Sequence, residues 1–344
     1  MLSGIPVYFL LFTFPTCLLH CSLGSHILRL VLINLLPDFL AVLDAHDREA
    51  AYRQYREAHR PILDAYWRNY VLDPDSPHAD EIIASALRAE RSDLLALAGS
   101  TDLVQLAEEA VARAEAVLQL DRPTDIYLMV GLGGANAGEL VVGGRGVAFV
   151  CLEHFTGRAN PQTHGLGLAP HLLPLWIAHE VAHAVRYTSP TSRAELRRLV
   201  GELGGTYDYW ETGSRAPLRE LLVNEGIAVT AARAVAPGFE PWEYFGYARS
   251  QYRRLRELDA FLRRVVAPDL DAAGLGLRLR HLCGGMSAGS RTVNGRVLPE
   301  RSGYYVGVRM VEPTVAAYGL AAAVRCSARE IGAAESRLAG AQTA

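Results

Sequence analysis

The 344-residue chain contains no lysine. All 34 of its Lys/Arg cations are arginines, spread along the whole length. That spread points to coding bias and not to a functional choice of guanidinium, which would show as clustering. No basic stripe stands out and the formal net charge is only -3, so nucleic acid is not an expected partner. Cysteine is scarce too. The five present are odd in number and form no CxxC pair, which argues against a disulfide framework or a structural zinc knuckle. A completed GxGxxG is also missing. Gly131-Leu132-Gly133-Gly134 follows an apolar run but breaks the Rossmann spacing, so it reads as a turn.

The longest uncharged run is at the start. Ile5 to Leu19 is nearly all apolar, and no charged side chain precedes Arg29. The length suits a signal h-region or a short anchor. Yet no basic n-region precedes it, no small-residue cleavage site follows, and Pro15, His20 and His26 interrupt the pattern. Residues 1–36 therefore read as an extension outside the domain, with a signal or anchor as the rival. Membrane association is open only through residues 5–19. The compartment leans to the cytoplasm, with export or anchoring if that segment is real.

Half of the residues are hydrophobic, enough for a sizeable core. Apolar residues at helical spacing mark residues 38–70, 80–98 and 101–120, so residues 37–122 form a helical N-terminal part. The texture changes at Pro123. Short apolar runs at 126–130, 139–142 and 147–152 predict strands, the last two joined as a hairpin by Gly143-Gly144-Arg145-Gly146. Helices are expected at 172–187, 192–203, 217–235, 242–266, 303–318 and 327–338. The fold class is α+β and predominantly α-helical, with residues 123–344 packed onto 37–122 as one unit.

The chemistry sits at His179-Glu180-Val181-Ala182-His183. Two histidines four residues apart share one face of a helix. Their nitrogens can reach one Zn²⁺ at about 2.0–2.1 Å each. Glu180 projects to a neighbouring side of the same turn, where it can serve a water as base. The surrounding helix is apolar on several sides, so its ionisable groups need a metal or a partner.

A catalytic zinc site needs a third protein ligand. Glu202 and Glu225 compete. Glu225 lies on an apolar helical stretch with Leu221, Leu222, Ala228 and Ala232, beside Gly226, which would let this helix and the histidine helix approach closely. Glu202 falls near a helix end before Gly204-Gly205, where a solvated carboxylate is the plainer reading.

His179-Glu180-Val181-Ala182-His183 followed by Asn224-Glu225-Gly226-Ile227-Ala228 resembles the gluzincin metallopeptidases. The resemblance implies a zincin-like fold with a small sheet before the zinc helix, and Glu225 as third ligand. In their aminopeptidase branch the ligand glutamate stands at the spacing of Glu202, so the local sequence and the spacing disagree. A loop insertion over Gly201 to Ala216 would reconcile them. The chain also resembles a group of bacterial proteins described as predicted zinc-dependent proteases, through its later Glu-Gly and Gly303-Tyr304-Tyr305-Val306-Gly307. It lacks the Gly-x-Met-Glu-Asn motif of the aminopeptidases, which removes support for free-amine anchoring.

The expected activity is zinc-dependent hydrolysis of peptide bonds in a peptide or protein, with Glu180 as general base. Tyr304 or Tyr305 is the expected oxyanion donor, with Arg309 as an alternative. Val147 to Leu152 is expected to be an edge strand lining the cleft, with Glu153 or His154 at its rim. The rival readings are a zinc hydrolase of a non-peptide amide or ester, and a zinc-binding protein without catalysis.

Overall fold

A computed structural model describes residues 31–333. The order begins with β1 (Val31–Asn34) and six helices: α1 (Leu36–Asp44), α2 (Arg48–Ala58), α3 (Arg60–Tyr70), α4 (Pro77–Arg88), α5 (Ser92–Ser100) and α6 (Leu103–Leu118). Asp102 caps α6 by accepting from Gln105 N at 2.9 Å, which satisfies an otherwise orphaned donor. Strands β2 (Thr124–Met129), β3 (Ala137–Val142) and β4 (Arg145–Cys151) follow, then the short pair β5 (Ala159–Asn160) and β6 (Gly165–Leu166). The second half carries α7 (Leu173–Thr188), α8 (Glu195–Glu202), α9 (Tyr209–Arg215), α10 (Leu218–Val235), α11 (Arg249–Glu257), α12 (Asp259–Val266) and α13 (Leu275–Leu282). It continues through the short pair β7 (Thr292–Val293) and β8 (Arg296–Val297) to α14 (Ser302–Tyr318) and α15 (Leu320–Ala323). The protein is thus α+β and mostly helical, with a small mixed sheet.

The main sheet has the order β1-β2-β4-β3. The first three strands are parallel, and β3 runs antiparallel along one edge. Successive residues of β4 serve opposite faces, as the pleat requires. Gly146 faces α7, where an added Cβ would come within 3.1 Å of Ala184 Cβ. Phe149 faces the other way and meets the rings of Tyr66 and Tyr70 from α3 at centroid distances of 5.2 and 5.1 Å. The sheet therefore lies between α3 and α7. One cluster of buried apolar side chains runs from Leu35 to Ile331 and includes both halves of the chain.

Three expectations change. Among the described residues regular structure is already present at Val31, ahead of Pro37, because β1 pairs with β2 in parallel register. Its partner lies far along the chain, so a local reading cannot separate this strand from the apolar run before it. The helix expected over 242–266 is a 3₁₀ turn at Glu243–Phe245 followed by α11 and α12. Gly246, at φ 62°, stops the turn with a conformation that glycine adopts freely. The strand expected over Val147 to Leu152 is β4, which is interior; the sheet's edges are β1 and β3. The apolar run Ile5 to Leu19 and the end of the helix expected over 327–338 lie outside the described residues. No helix among the described residues is long and apolar enough to cross a membrane.

Candidate metal centre

Helix α7 is buried on nearly every side, from Leu173 through Tyr187. Pro174 is accommodated in its first turn, where no backbone donor is lost, and Arg186 falls in its last turn. His179, Glu180 and His183 are all buried, and their ligand-type atoms form one compact group. Helix α10 packs against α7 and brings Glu225 to the histidines. Glu225 Oε2 lies 3.3 Å from His179 Nε2 and 3.6 Å from His183 Nε2.

These contacts are close but not aligned as hydrogen bonds. Among the described residues, Glu225 Oε2, Glu180 Oε2 and the Nδ1 atoms of both histidines have no hydrogen-bond partner. Buried polar atoms are rarely left so. Two imidazole Nε2 atoms converging on a buried carboxylate oxygen that has no hydrogen-bond partner fit a divalent metal ion. Glu202 does not converge. It sits exposed at the end of α8, paired with Arg198 and Arg215.

The charges interact strongly. Burial opposes a charge on Glu225, but the neighbouring His183 and His179 hold its carboxyl far below the usual range. Burial also opposes protonation of His183, yet Glu139 and Glu225 raise it to about 9. Burial lowers His179 against the pull of Glu225. For Glu180, burial raises the carboxyl well above its usual range; His183 works against this, while Glu139 and Glu225 add to it.

Glu139 is one of the residues that sequence reading missed. It comes from the edge strand β3, opposite Ala148 of β4. Tyr187 donates to its Oε1 at 2.9 Å, and Tyr70 donates to its Oε2 at 3.2 Å. Asn224 Nδ2 in turn donates to the Tyr187 hydroxyl at 3.0 Å. Arg186 Nε donates to Asn224 Oδ1 at 3.1 Å, and its Nη2 reaches Glu220 at 2.5 Å. A buried ion pair behind the site thus anchors the residues on either side of the metal-type ligands. Two sequence signals pointed here: a lone acid in an apolar strand, and Tyr187 four residues beyond His183.

Tyr304 reaches the centre from α14. Its ring lies 6.1 Å from that of His179, nearly parallel at 19°. Burial raises its phenol well above the usual range, so it stays a hydrogen-bond donor. Tyr305 instead packs against Phe245 and Tyr252. Arg309 is engaged with Glu312 and Asp259. Neither lines the centre. A cavity of about 100 Å³ encloses His179, Glu180, His183, Glu225, Glu139 and Tyr304. It is also lined by Tyr70, Trp176, Tyr209 and Leu282, and by Arg278 and Arg301. The two arginines were not legible as site residues.

Glu153 and His154 do not reach the rim. Glu153 is fully buried and accepts from Gly131 N at 2.9 and 3.0 Å and from Gly133 N at 3.0 Å. Its carboxylate closes the glycine-rich turn, with Gly133 at φ 87°. His154 Nδ1 accepts from Leu166 N at 3.3 Å. The edge of β3 is partly taken as well. The Glu139 carbonyl accepts from Tyr70 and the Val141 carbonyl from Tyr207 N, both within 3.0 Å.

Comparison with protein-family models, curated proteins and solved structures finds no match in any of the three.

Proposed function

We propose that the protein is a zinc-dependent metallohydrolase that cleaves peptide bonds. The observation that carries this reading is the convergence of Glu225, from a second helix, on the ring nitrogens of His179 and His183 with Glu180 in the same cavity. The antiparallel edge strand beside the histidine helix and the Asn224-Glu225-Gly226 stretch support a zincin-like, gluzincin-type arrangement.

His179, His183 and Glu225 would hold the ion. When bound, zinc would supply Lewis acidity, lowering the pKa of a water toward about 7 and polarising a carbonyl. Glu180 takes the proton of the attacking water on its carboxylate and returns it to the leaving amine. Tyr304 donates its hydroxyl hydrogen to the oxygen on which negative charge develops. Trp176 and Leu282 wall the cavity and restrict water. Tyr187 and Tyr70 hold Glu139 still. The small cavity supports, as a second reading, a small non-peptide amide cleaved at the same centre.

The test is direct. Purified Glu180→Gln protein should retain about one zinc per chain, yet lose peptide hydrolysis by about 10²–10⁴-fold. Undiminished cleavage by that variant, or a wild-type protein that takes up no divalent metal, would overturn the proposal.

A further inference from the structure

The cavity that holds the acidic and imidazole groups also holds two guanidiniums. Arg278, from α13, is only 7% exposed. Its Nη1 donates to the Tyr209 carbonyl at 2.7 Å, and its Nη2 to the Tyr207 hydroxyl at 3.1 Å. Its carbon chain and head lie over the Tyr209 ring, with Cζ 3.4 Å from the centroid. A guanidinium has five donors, and these two bonds use one hydrogen on each terminal nitrogen. Arg301 precedes α14, with Cζ 4.3 Å from the centroid of Tyr304. Both line the cavity. Among the described residues, neither lies within ion-pair distance of a carboxylate.

Two features show that Arg301 is held in place. Its backbone sits at φ 53°, a left-handed conformation uncommon for a residue with a side chain. The Tyr247 hydroxyl donates to its carbonyl at 2.6 Å and so braces that conformation. Strain of this kind persists where surrounding structure over-determines it, and it concentrates at functional sites. Charges held away from water are costly unless partnered. Arg278 is buried and Arg301 half-buried, and the acids of the same cavity offset them only without direct contact, Glu139 acting on Arg278 and Glu225 on Arg301.

We propose that Arg278 and Arg301 form a carboxylate-binding subsite, so that the substrate is a short peptide or peptide end carrying a carboxylate beside the bond cleaved. The subsite rests on the metallohydrolase reading for its chemistry but not for its binding. The planar fork of arginine matches a carboxylate in geometry and charge. The size of the space agrees: about 100 Å³ admits a small group and not a stretch of folded chain. The edge strand agrees as well, because the carbonyls of Glu139 and Val141 are already bonded and cannot both pair with an extended substrate. A free C-terminal carboxylate and an acidic side chain offer the same chemistry, and the test separates them.

Calorimetry on zinc-loaded Glu180→Gln protein would compare three probes: N-acetyl-Gly-Ala as free acid, its C-terminal amide, and N-acetyl-Gly-Glu amide. The free acid should bind about tenfold or more tighter than its amide. Arg278→Gln and Arg301→Gln, each in the Glu180→Gln background, should abolish that preference. Equal binding of acid and amide overturns the subsite, as does a preference that survives both arginine substitutions. Tight binding of the glutamate amide assigns the carboxylate to a side chain; weak binding assigns it to the chain end. If the arginine variants do not fold, the metal-stripped Glu180→Gln protein decides: a preference that persists without metal belongs to the arginines, and one that vanishes overturns the subsite. Acid preference without wild-type cleavage of any peptide leaves the subsite standing and removes the peptidase reading.

Discussion

Gly226 and Gly307 meet where α10 crosses α14. A Cβ on Gly226 would come within 2.2 Å of the Gly307 carbonyl carbon, and one on Gly307 within 2.0 Å of the Leu222 oxygen. Gly226 adjoins Glu225, and Gly307 lies three residues beyond Tyr304. The crossing therefore sets the carboxylate and the phenol at the same centre. Sequence reading expected Gly226 to let its helix approach the histidine helix closely; the helix it meets is α14 instead.

Gly226→Ala and Gly307→Ala should each cost about 2–3 kcal/mol or more, because backbone on the facing helix cannot yield as a side-chain tip can. Denaturant unfolding of the metal-free variants measures this. A loss below about 1 kcal/mol for both would place the crossing elsewhere.

Removing Glu225 should weaken zinc binding by more than about 100-fold, the upper range for losing only a ligand's supporting partner. Glu202→Ala should leave zinc affinity unchanged, since Glu202 pairs with surface arginines. Competition against a chromophoric chelator reads both. The opposite ranking would restore the ligand that spacing alone favours.

Tyr304→Phe should lower kcat by about 10²–10³-fold while zinc content stays at the wild-type level. Tyr305→Phe should cleave like the wild type, because Tyr305 packs against Phe245 and Tyr252. Equal losses in the two variants would show that packing, and not hydroxyl donation, is at work.

His281 gives a pH signature apart from the metal ligands. It is buried, and its Nδ1 has no partner among the described residues. Burial, then the charge of Arg280, pushes it down to about 4 from 6.5. Between those values the unfolded chain takes up a proton that the folded chain refuses. Stability from this group is complete above 6.5 and is lost as pH falls toward 4. His281→Gln should therefore lose about 2–3 kcal/mol less than the wild type between pH 7 and pH 4.5. Parallel stability curves for the two proteins would refute the assignment.

The local patterns carried a great deal. His179 and His183 share a face because the helix repeat demands it, and the apolar run around them predicted burial before any coordinates. The hairpin β3–β4 was legible from its glycine pair. The turn at Gly131 was legible as well, although the carboxylate that closes it was not.

What the amino-acid order determined by itself was the grouping of side chains on single elements: two imidazoles and a carboxyl on one helix, and an acid beside a glycine on another. Periodicity is a local property, so such groupings need no knowledge of the rest of the chain. Tertiary structure alone brought Glu225 and not Glu202 to the histidines, placed Tyr304 and not Tyr305 at the cavity, and put β3 outside β4 at one edge of the sheet. It also brought Glu139, Arg278 and Arg301 to the cavity. Each of those depends on which distant segments pack together, through pairings such as β1 with β2 and Gly226 with Gly307. No short window of sequence encodes such contacts, because their free energy arises only when both partners are in place.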